Sequence, residues 1–330
     1  MKLISIVVPC FNEQDNVIEL YHRVRGALSG FSRYRFEFIF IDNASTDGTE
    51  AQLRELAAED KSVKVIFNSR NFGHIRSPFY GLIQARGDAV ISMVSDLQDP
   101  PELLPQFIQK WEEGFQIAVG VKEKSKESPV FFLVRRFYYW LVGRLSEVPL
   151  LENCTGFGLY DRCIIDNLRA THDPYPYARG MIAEVGFRVA KIPYTQPLRR
   201  RGFTKNNFYT LYDIAMLGIT NHSKVPLRLA AMLGFLMSFL SLLTGLGYLT
   251  YKLLYWNEFK AGIAPVVVGL FLISSVQLFF IGVIGEYIGS IHTKVTNRPL
   301  VVERERINFD DAPALAKEEE ELAAALSFSR

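Results

Sequence analysis

Two segments of this 330-residue chain, 229–251 and 264–288, run almost free of charge, and they constrain its fold more than any other feature. A bilayer core of about 30 Å needs about 20 helical residues, so each segment is long enough to cross one. A buried core helix is the alternative, but two in succession, each longer than the usual globular helix, speak against it. Glu286 lies near the end of the second segment, within reach of an interface. Lys224 and Arg228 precede the first segment and Lys294, Arg298, Arg304 and Arg306 follow the second, against Lys252, Lys260 and Glu258 between them. This bias predicts cytoplasmic flanks and an outward-facing loop at 252–262, which makes the large N-terminal part cytosolic.

Ahead of Pro226 the pattern changes. Short apolar runs at 3–8, 36–41, 63–67, 89–94 and 117–119 alternate with longer amphipathic stretches. Strands separated by helices predict βαβ units, hence a mostly parallel α/β sheet covered on both faces. Ligands of such sheets gather at the carboxyl ends of the strands. Here those ends carry the polar loops 9–13, 42–49, 68–73 and 96–102, so four loops are expected on one rim. Residues 189–194 read as a further strand, and 207–220 as a helix leading to the membrane. Residues 130–145 read as an amphipathic helix with Arg135, Arg136, Tyr139 and Gly143 on one side; its aromatic face suits either core or membrane surface. The tail from 310 is expected to be a solvated helix or disordered end.

The apolar start at 1–11 is followed by Asn12-Glu13-Gln14-Asp15 without a small-residue cleavage site, which predicts a strand and not a signal peptide. A net charge of +2 argues against a dedicated nucleic-acid binder. Cys10, Cys154 and Cys163 are odd in number and lack metal-type spacing, so reduced, unligated thiols are expected.

The acidic loop Val94-Ser-Asp-Leu-Gln-Asp-Pro-Pro-Glu102 places hard oxygen ligands where an apolar run stops, as divalent-cation and phosphate sites require. It closes an ordered series with Ser5-Ile-Val-Val-Pro-Cys-Phe-Asn-Glu13 and Phe38-Ile-Phe-Ile-Asp-Asn-Ala-Ser-Thr-Asp-Gly-Thr49. The series resembles the nucleotide-sugar-binding domain of family 2 inverting glycosyltransferases, which have a GT-A, Rossmann-like fold. With Asn71-Phe-Gly73, Arg179-Gly180, Arg201-Gly-Phe-Thr-Lys205 and the two apolar segments added, residues 1–300 resemble polyprenyl-phosphate glycosyltransferases of the bactoprenol glucosyltransferase and dolichol-phosphate mannose synthase type.

The resemblance implies roles residue by residue. Pro9, Phe11 and Glu13 are expected near the ribose and Asp42 near the uracil edge, where an ionised carboxylate accepts a base N–H. The alternative for Asp42 is a turn-forming residue, and for Asp47 a helix N-cap, which is favoured. The family's metal motif usually reads Asp-x-Asp-x-Gln; here Val94 replaces the first acid, leaving Asp96 and Gln98 for Mg2+ or Mn2+. Asp99 is read as a cap for a helix starting near Pro101. Arg201, counted as catalytic with Asp96, and Lys205 are expected at the donor pyrophosphate, and Lys122 and Arg135 at the acceptor phosphate. An anionic-lipid patch is the plainer reading of Arg199-Arg-Arg201. Where relatives carry Gly-Asp-Phe-Arg-Leu this chain has Thr155-Gly-Phe-Gly-Leu159, so Gly156 replaces an acid. A phosphate acceptor, largely dianionic at neutral pH, tolerates that loss.

The expectation is therefore a GT-A glycosyltransferase domain at 1–225, a transmembrane hairpin at 226–290 and a cytosolic tail at 291–330. It transfers hexose, with glucose from UDP-glucose preferred, to undecaprenyl phosphate with inversion at the cytoplasmic face of the inner membrane. GDP-mannose with a dolichol-type acceptor is the enzymatic alternative, and a non-catalytic nucleotide-sugar-binding membrane protein the alternative of another class. A processive synthase is disfavoured, since a Gln-x-x-Arg-Trp motif and further spans are missing from the sequence. Gly245-Leu-Gly247 and the glycines at 282–289 make a homo-oligomer the expectation.

Overall fold

The computed structural model describes residues 1–124, 154–197, 216–217, 220, 223–255 and 263–309. The expected strands form at β1 (Lys2–Cys10), β2 (Tyr34–Asp42), β3 (Val63–Asn68), β4 (Ala89–Ser92), β5 (Ile117–Lys124) and β7 (Val189–Thr195). Between the first of these lie α1 (Val17–Leu28), α2 (Thr49–Glu59), α3 (Gly73–Gln84) and α4 (Leu104–Glu112). Strand β6 (Cys154–Asp161) is followed by α5 (Arg162–Ala170) and α6 (Ala178–Glu184). The helices expected at 130–145 and, for the most part, at 207–220 lie outside the described residues.

With β8 (Glu303–Ile307), the strands join in one sheet of order β7-β5-β6-β4-β1-β2-β3-β8. Pairing is parallel between β1, β2, β3 and β4, and between β5 and β7; β6 and β8 run antiparallel to their neighbours. Period-two alternation divides the core. Ile4, Ile6, Val8, Phe38 and Phe40 bury on the side of α1, α2 and α4. Val7, Ile39, Ile41 and Ile66 bury on the opposite side, with residues of α3, α5 and α6. Because successive side chains of a strand point to opposite faces, one run of apolar residues serves both layers.

Strand β6 was not expected from the sequence, and its glycines explain both why it forms and why it was hidden. A Cβ on Gly158 would meet the Ala118 carbonyl oxygen at 2.4 Å, so only glycine lets β6 close on β5. Gly156 has φ +93°, a backbone state that a side chain would strain.

The apolar segments are helices α7 (Val225–Leu254) and α8 (Ile263–Thr296). Only 6% and 0% of their most apolar windows are buried, which excludes the core-helix alternative and leaves two candidate membrane spans. At their foot the Tyr287 hydroxyl of α8 donates to the Ser223 carbonyl just ahead of α7 at 2.6 Å, and Lys294 of α8 pairs with Asp173 of the sheet domain at 3.5 Å.

Beyond α8 the chain returns. Strand β8 (Glu303–Ile307) pairs antiparallel with β3 and closes that edge of the sheet, a strand within what the sequence reading treated as tail. Asn308 donates to the carbonyls of Ala57 at 2.6 Å and Val63 at 2.8 Å, locking the turn that follows. The far end of the α7–α8 pair is thus anchored on the sheet. Three of the cations that flank the apolar segments are engaged in ion pairs: Lys294 with Asp173, Arg304 with Glu50 and Arg306 with Glu303.

Asp60, after α2, gathers the Tyr21 hydroxyl at 2.5 Å, the Ser62 amide at 2.8 Å and the Arg25 guanidinium. Burial alone would raise its carboxyl, but these hydrogen bonds outweigh it and hold the pKa at about 2, below the ordinary 3.8. A depressed folded pKa contributes stability above pH 4 that is lost as pH falls toward 2. Asp60→Asn is expected to cost on the order of 1 kcal/mol at pH 7, solvent screening included. In urea unfolding followed at several pH values, that difference should shrink steadily below pH 4.

Candidate active site

The strand order reverses between β1 and β4, and a crevice opens at such a switch point beyond the carboxyl ends of the strands. The loops after β1 and β4 meet there: the Ser95 hydroxyl donates to the Pro9 carbonyl at 3.0 Å, and Met93 N–H to the Val7 carbonyl at 3.1 Å. Left-handed backbone collects on the same rim, at Asn12, Ala44, Gly73, Leu97 and Gly156. Asn12, Ala44 and Leu97, which unlike glycine are strained there, persist where surrounding contacts over-determine them, as at functional sites.

The first two loops brace each other. Asn12 N–H donates to the Ser45 hydroxyl at 2.9 Å, and the Asn12 side-chain oxygen accepts from Thr46 N–H at 2.8 Å. Gly48 N–H reaches the Gln14 side chain at 2.7 Å. Glu13 is buried; its amide donates to Thr49 Oγ1 at 2.8 Å and its carboxylate accepts from the Asn16 side chain at 2.7 Å. Pro9 and Phe11 are half-buried beside it.

Asp42 closes β2 fully buried and accepts from the Ser45 amide at 3.1 Å and from the Ser45 hydroxyl. The turn-forming role is therefore present, and the second lone pairs of its oxygens leave capacity for a further donor. Burial raises its pKa; the Ser45 bonds oppose this without cancelling it. Asp47 accepts from Thr49 N–H at 3.0 Å and from its hydroxyl at 2.6 Å, binding the first turn of α2 from one residue further out than a regular cap.

Sequence reasoning missed the asparagines that hold the third loop. The Asn43 amide donates to Asn71 Oδ1 at 2.9 Å, and its oxygen accepts from Phe72 N–H at 2.9 Å and the Asn68 amide at 3.1 Å. The available signal was an Asn at the end of each of two neighbouring strands, Asn43 directly after β2 and Asn68 closing β3.

In the fourth loop Asp96 is half-buried, and its Oδ1 accepts from Gln98 N–H at 3.1 Å. Asp99 is not a helix cap. It turns inward, 2% exposed, and accepts from Val94 N–H at 3.3 Å and the Tyr194 hydroxyl at 3.2 Å. Burial, with the neighbouring Asp96 charge, pushes it up to about 6, against the pull of Val94 N–H, Lys122 and Tyr194. The short helix does begin at Pro101, as expected, and this residue lacks an N–H to cap. Lys122, at the end of β5, is in register with Tyr194.

Among the described residues no group of three His, Cys, Asp or Glu is arranged to hold a metal. Asp96 and Gln98 supply one carboxylate and one amide oxygen, which fits a magnesium-type ion that takes its other ligands from phosphate and water. Arg135, Arg201 and Lys205 lie outside the described residues. The described rim is dominated by the carboxylates Glu13, Asp42, Asp47, Asp96 and Asp99. With this charge, an anionic ligand needs cations from a metal or from basic side chains.

A mostly parallel sheet with acid-bearing loops at its switch point, joined to a pair of candidate membrane spans, defines a GT-A glycosyltransferase with a C-terminal helical hairpin. Residues 5–167 match the Glycosyl transferase family 2 model and residues 225–291 the GtrB C-terminal hairpin model. An uncharacterized glycosyltransferase of Bacillus subtilis, YkcC, is 33% identical over 90% of this chain and 92% of its own. The SfII prophage-derived bactoprenol glucosyl transferase of Shigella flexneri is 33% identical over 90% of this chain and 96% of its own. A prophage bactoprenol glucosyl transferase homolog of Escherichia coli K12 is 30% identical over the same shares. A solved glucosyl-3-phosphoglycerate synthase from Mycobacterium tuberculosis is 20% identical over 66% of this chain and 78% of its own, at a TM-score of 0.42. The chain belongs to glycosyl transferase family 2, in the group that carries the GtrB hairpin.

Proposed function

We propose that this enzyme transfers glucose from UDP-glucose to a polyprenyl phosphate, undecaprenyl phosphate in the first instance, at the cytoplasmic face of the inner membrane. The observation that carries the reading is β8: it ties the far end of the apolar hairpin to the sheet that bears the acidic rim, so a lipid-embedded element and a sugar-transfer site share one frame. Relatives named bactoprenol glucosyl transferase over nine-tenths of the chain supply the acceptor class.

In this reading Pro9, Phe11 and Glu13 border the ribose, and Asp42 accepts the uracil N–H. Asp96 and Gln98 hold Mg2+ or Mn2+, which when bound supplies positive charge against the diphosphate. Arg201 and Lys205 hold the departing pyrophosphate, and Lys122 and Arg135 the acceptor phosphate. The acceptor oxygen attacks the anomeric carbon from the face opposite the leaving diphosphate and inverts it. No general base is assigned, because a phosphate monoester with a second pKa near 6 is already dianionic. Gly156, where relatives carry an acid, accords with that chemistry. Residues 1–225 form the catalytic unit, 226–290 the membrane hairpin, and the segment beyond it rejoins the catalytic unit through β8.

Release of UDP from UDP-glucose should depend on added undecaprenyl phosphate and divalent ion. Release at the same rate without the lipid would point to another acceptor, water included.

A further inference from the structure

The strand that follows the hairpin does more than close a sheet edge. Arg304 on β8 pairs with Glu50 at 2.7 Å, and Glu50 lies in the first turn of α2, directly after the loop 42–48. Arg54 of α2 contacts the same Glu50 at 2.9 Å and Glu305 of β8 at 2.8 Å. Both guanidiniums stand over the ring of buried Phe67, Arg54 at 4.5 Å and Arg304 at 5.7 Å. The result is an alternating chain of charges, Arg304, Glu50, Arg54 and Glu305, which fixes the start of α2 from outside.

We propose that Arg304 is a positioning residue for nucleoside diphosphate binding: through Glu50 it holds the start of α2 and, together with Arg54, offsets a charge that would otherwise add to Asp42 and Asp47 against the anionic ligand. The proposal rests on the reading of loop 42–48 as part of the nucleotide site. Asp42 registers both charges, since besides the larger effects of burial and Ser45, Glu50 raises its pKa and Arg304 lowers it. An isolated surface ion pair contributes little, but a network anchored on a ring and two backbone elements retains its geometry. The segment joining α8 to β8 is short, residues 297–302. A residue delivered from beyond the membrane hairpin thereby conditions the donor end of the site.

The test uses the full chain in nanodiscs. Arg304→Gln is expected to raise the Kd for UDP and the KM for the nucleotide sugar about five-fold, with kcat within about two-fold of wild type. Glu50→Gln added to Arg304→Gln should recover most of that loss, because the charge that Arg304 helps to offset is gone. Arg306→Gln, on the same strand as Arg304, breaks contacts to Glu303 of β8 and to Tyr80 and Gln84 of α3 and should leave the KM unchanged. A wild-type KM in Arg304→Gln, or an equal rise in Arg306→Gln, would overturn the proposal and leave β8 a structural strap. If the wild-type protein binds no nucleoside diphosphate in calorimetry, the nucleotide reading itself fails and the proposal with it.

Discussion

Asp96→Asn is expected to lower kcat/KM for sugar transfer by on the order of 1000-fold while the thermal unfolding midpoint stays near that of wild type. The substitution keeps the shape and one carbonyl oxygen, so the 3.1 Å bond from Gln98 N–H can persist and the loop can keep its turn. What it removes is charge. The family's usual first acid is Val94 here, and Asp99 is turned inward onto Tyr194 and Val94, so Asp96 is the carboxylate left to meet a cation in this loop. With a single carboxylate a divalent ion depends on that one ionised group and on its substrate's phosphates. Titration of Mn2+ by electron paramagnetic resonance gives a readout apart from turnover: the Asn variant should bind the ion at least ten-fold more weakly in the presence of UDP. Wild-type turnover in this variant would remove Asp96 from the metal site.

Lys64→Met should do the reverse, unfolding the protein more easily while leaving kcat/KM per folded molecule unchanged. Glu37 is buried on β2, in the half of the sheet away from the rim, and its carboxylate meets Lys64 at 2.8 Å, the Ser5 hydroxyl and Arg86 N–H at 3.4 Å. Ser5 in turn accepts from Gly87 N–H at 2.9 Å. The side chains of Lys64 and Glu37 are only 16% and 5% exposed, so water cannot take over when one partner is lost. Breaking such a pair costs about 3–5 kcal/mol because the remaining charge stays buried. For a domain of this size that is a fall of roughly 10 °C in Tm. Glu37→Gln combined with Lys64→Met should regain much of the loss, since neither charge then remains. A fall of less than about 1 kcal/mol for Lys64→Met alone would mean that the cluster is open to solvent.

These two sites differ in how visible they were beforehand. The β1, β2, β3 and β4 cores are continuous apolar runs, and the acids that end them are the residues a parallel sheet gathers at its rim, so sequence and fold agree there. The Glu37 cluster is invisible in one dimension, because Ser5, Glu37, Lys64 and Gly87 come from four separate stretches and only strand register brings them together. Asp99 misled for a similar reason: an acid before Pro-Pro looks like a cap until Tyr194, 95 residues later, is placed against it. Strand β8 was hidden by its own chemistry. Glu303-Arg-Glu-Arg-Ile307 has almost no apolar residue to announce a strand, yet alternating charges suit an edge that must discourage further pairing. Its cations add to the basic flank of the apolar segments, yet Arg304 and Arg306 are bound into the fold. The basic residues assigned to the two phosphates were legible only through family resemblance, since cations spread over 122–205 carry no spacing signal of their own.

The most direct measurement is of the product lipid. The full chain in vesicles should be incubated with UDP-[14C]glucose, magnesium and undecaprenyl phosphate, and the extracted lipid examined by chromatography and mass spectrometry. Label should move into a lipid of mass equal to undecaprenyl phosphate plus one hexose, and none should move in Asp96→Asn. Failure of the wild-type protein to label lipid with any common nucleotide sugar would contradict the assignment.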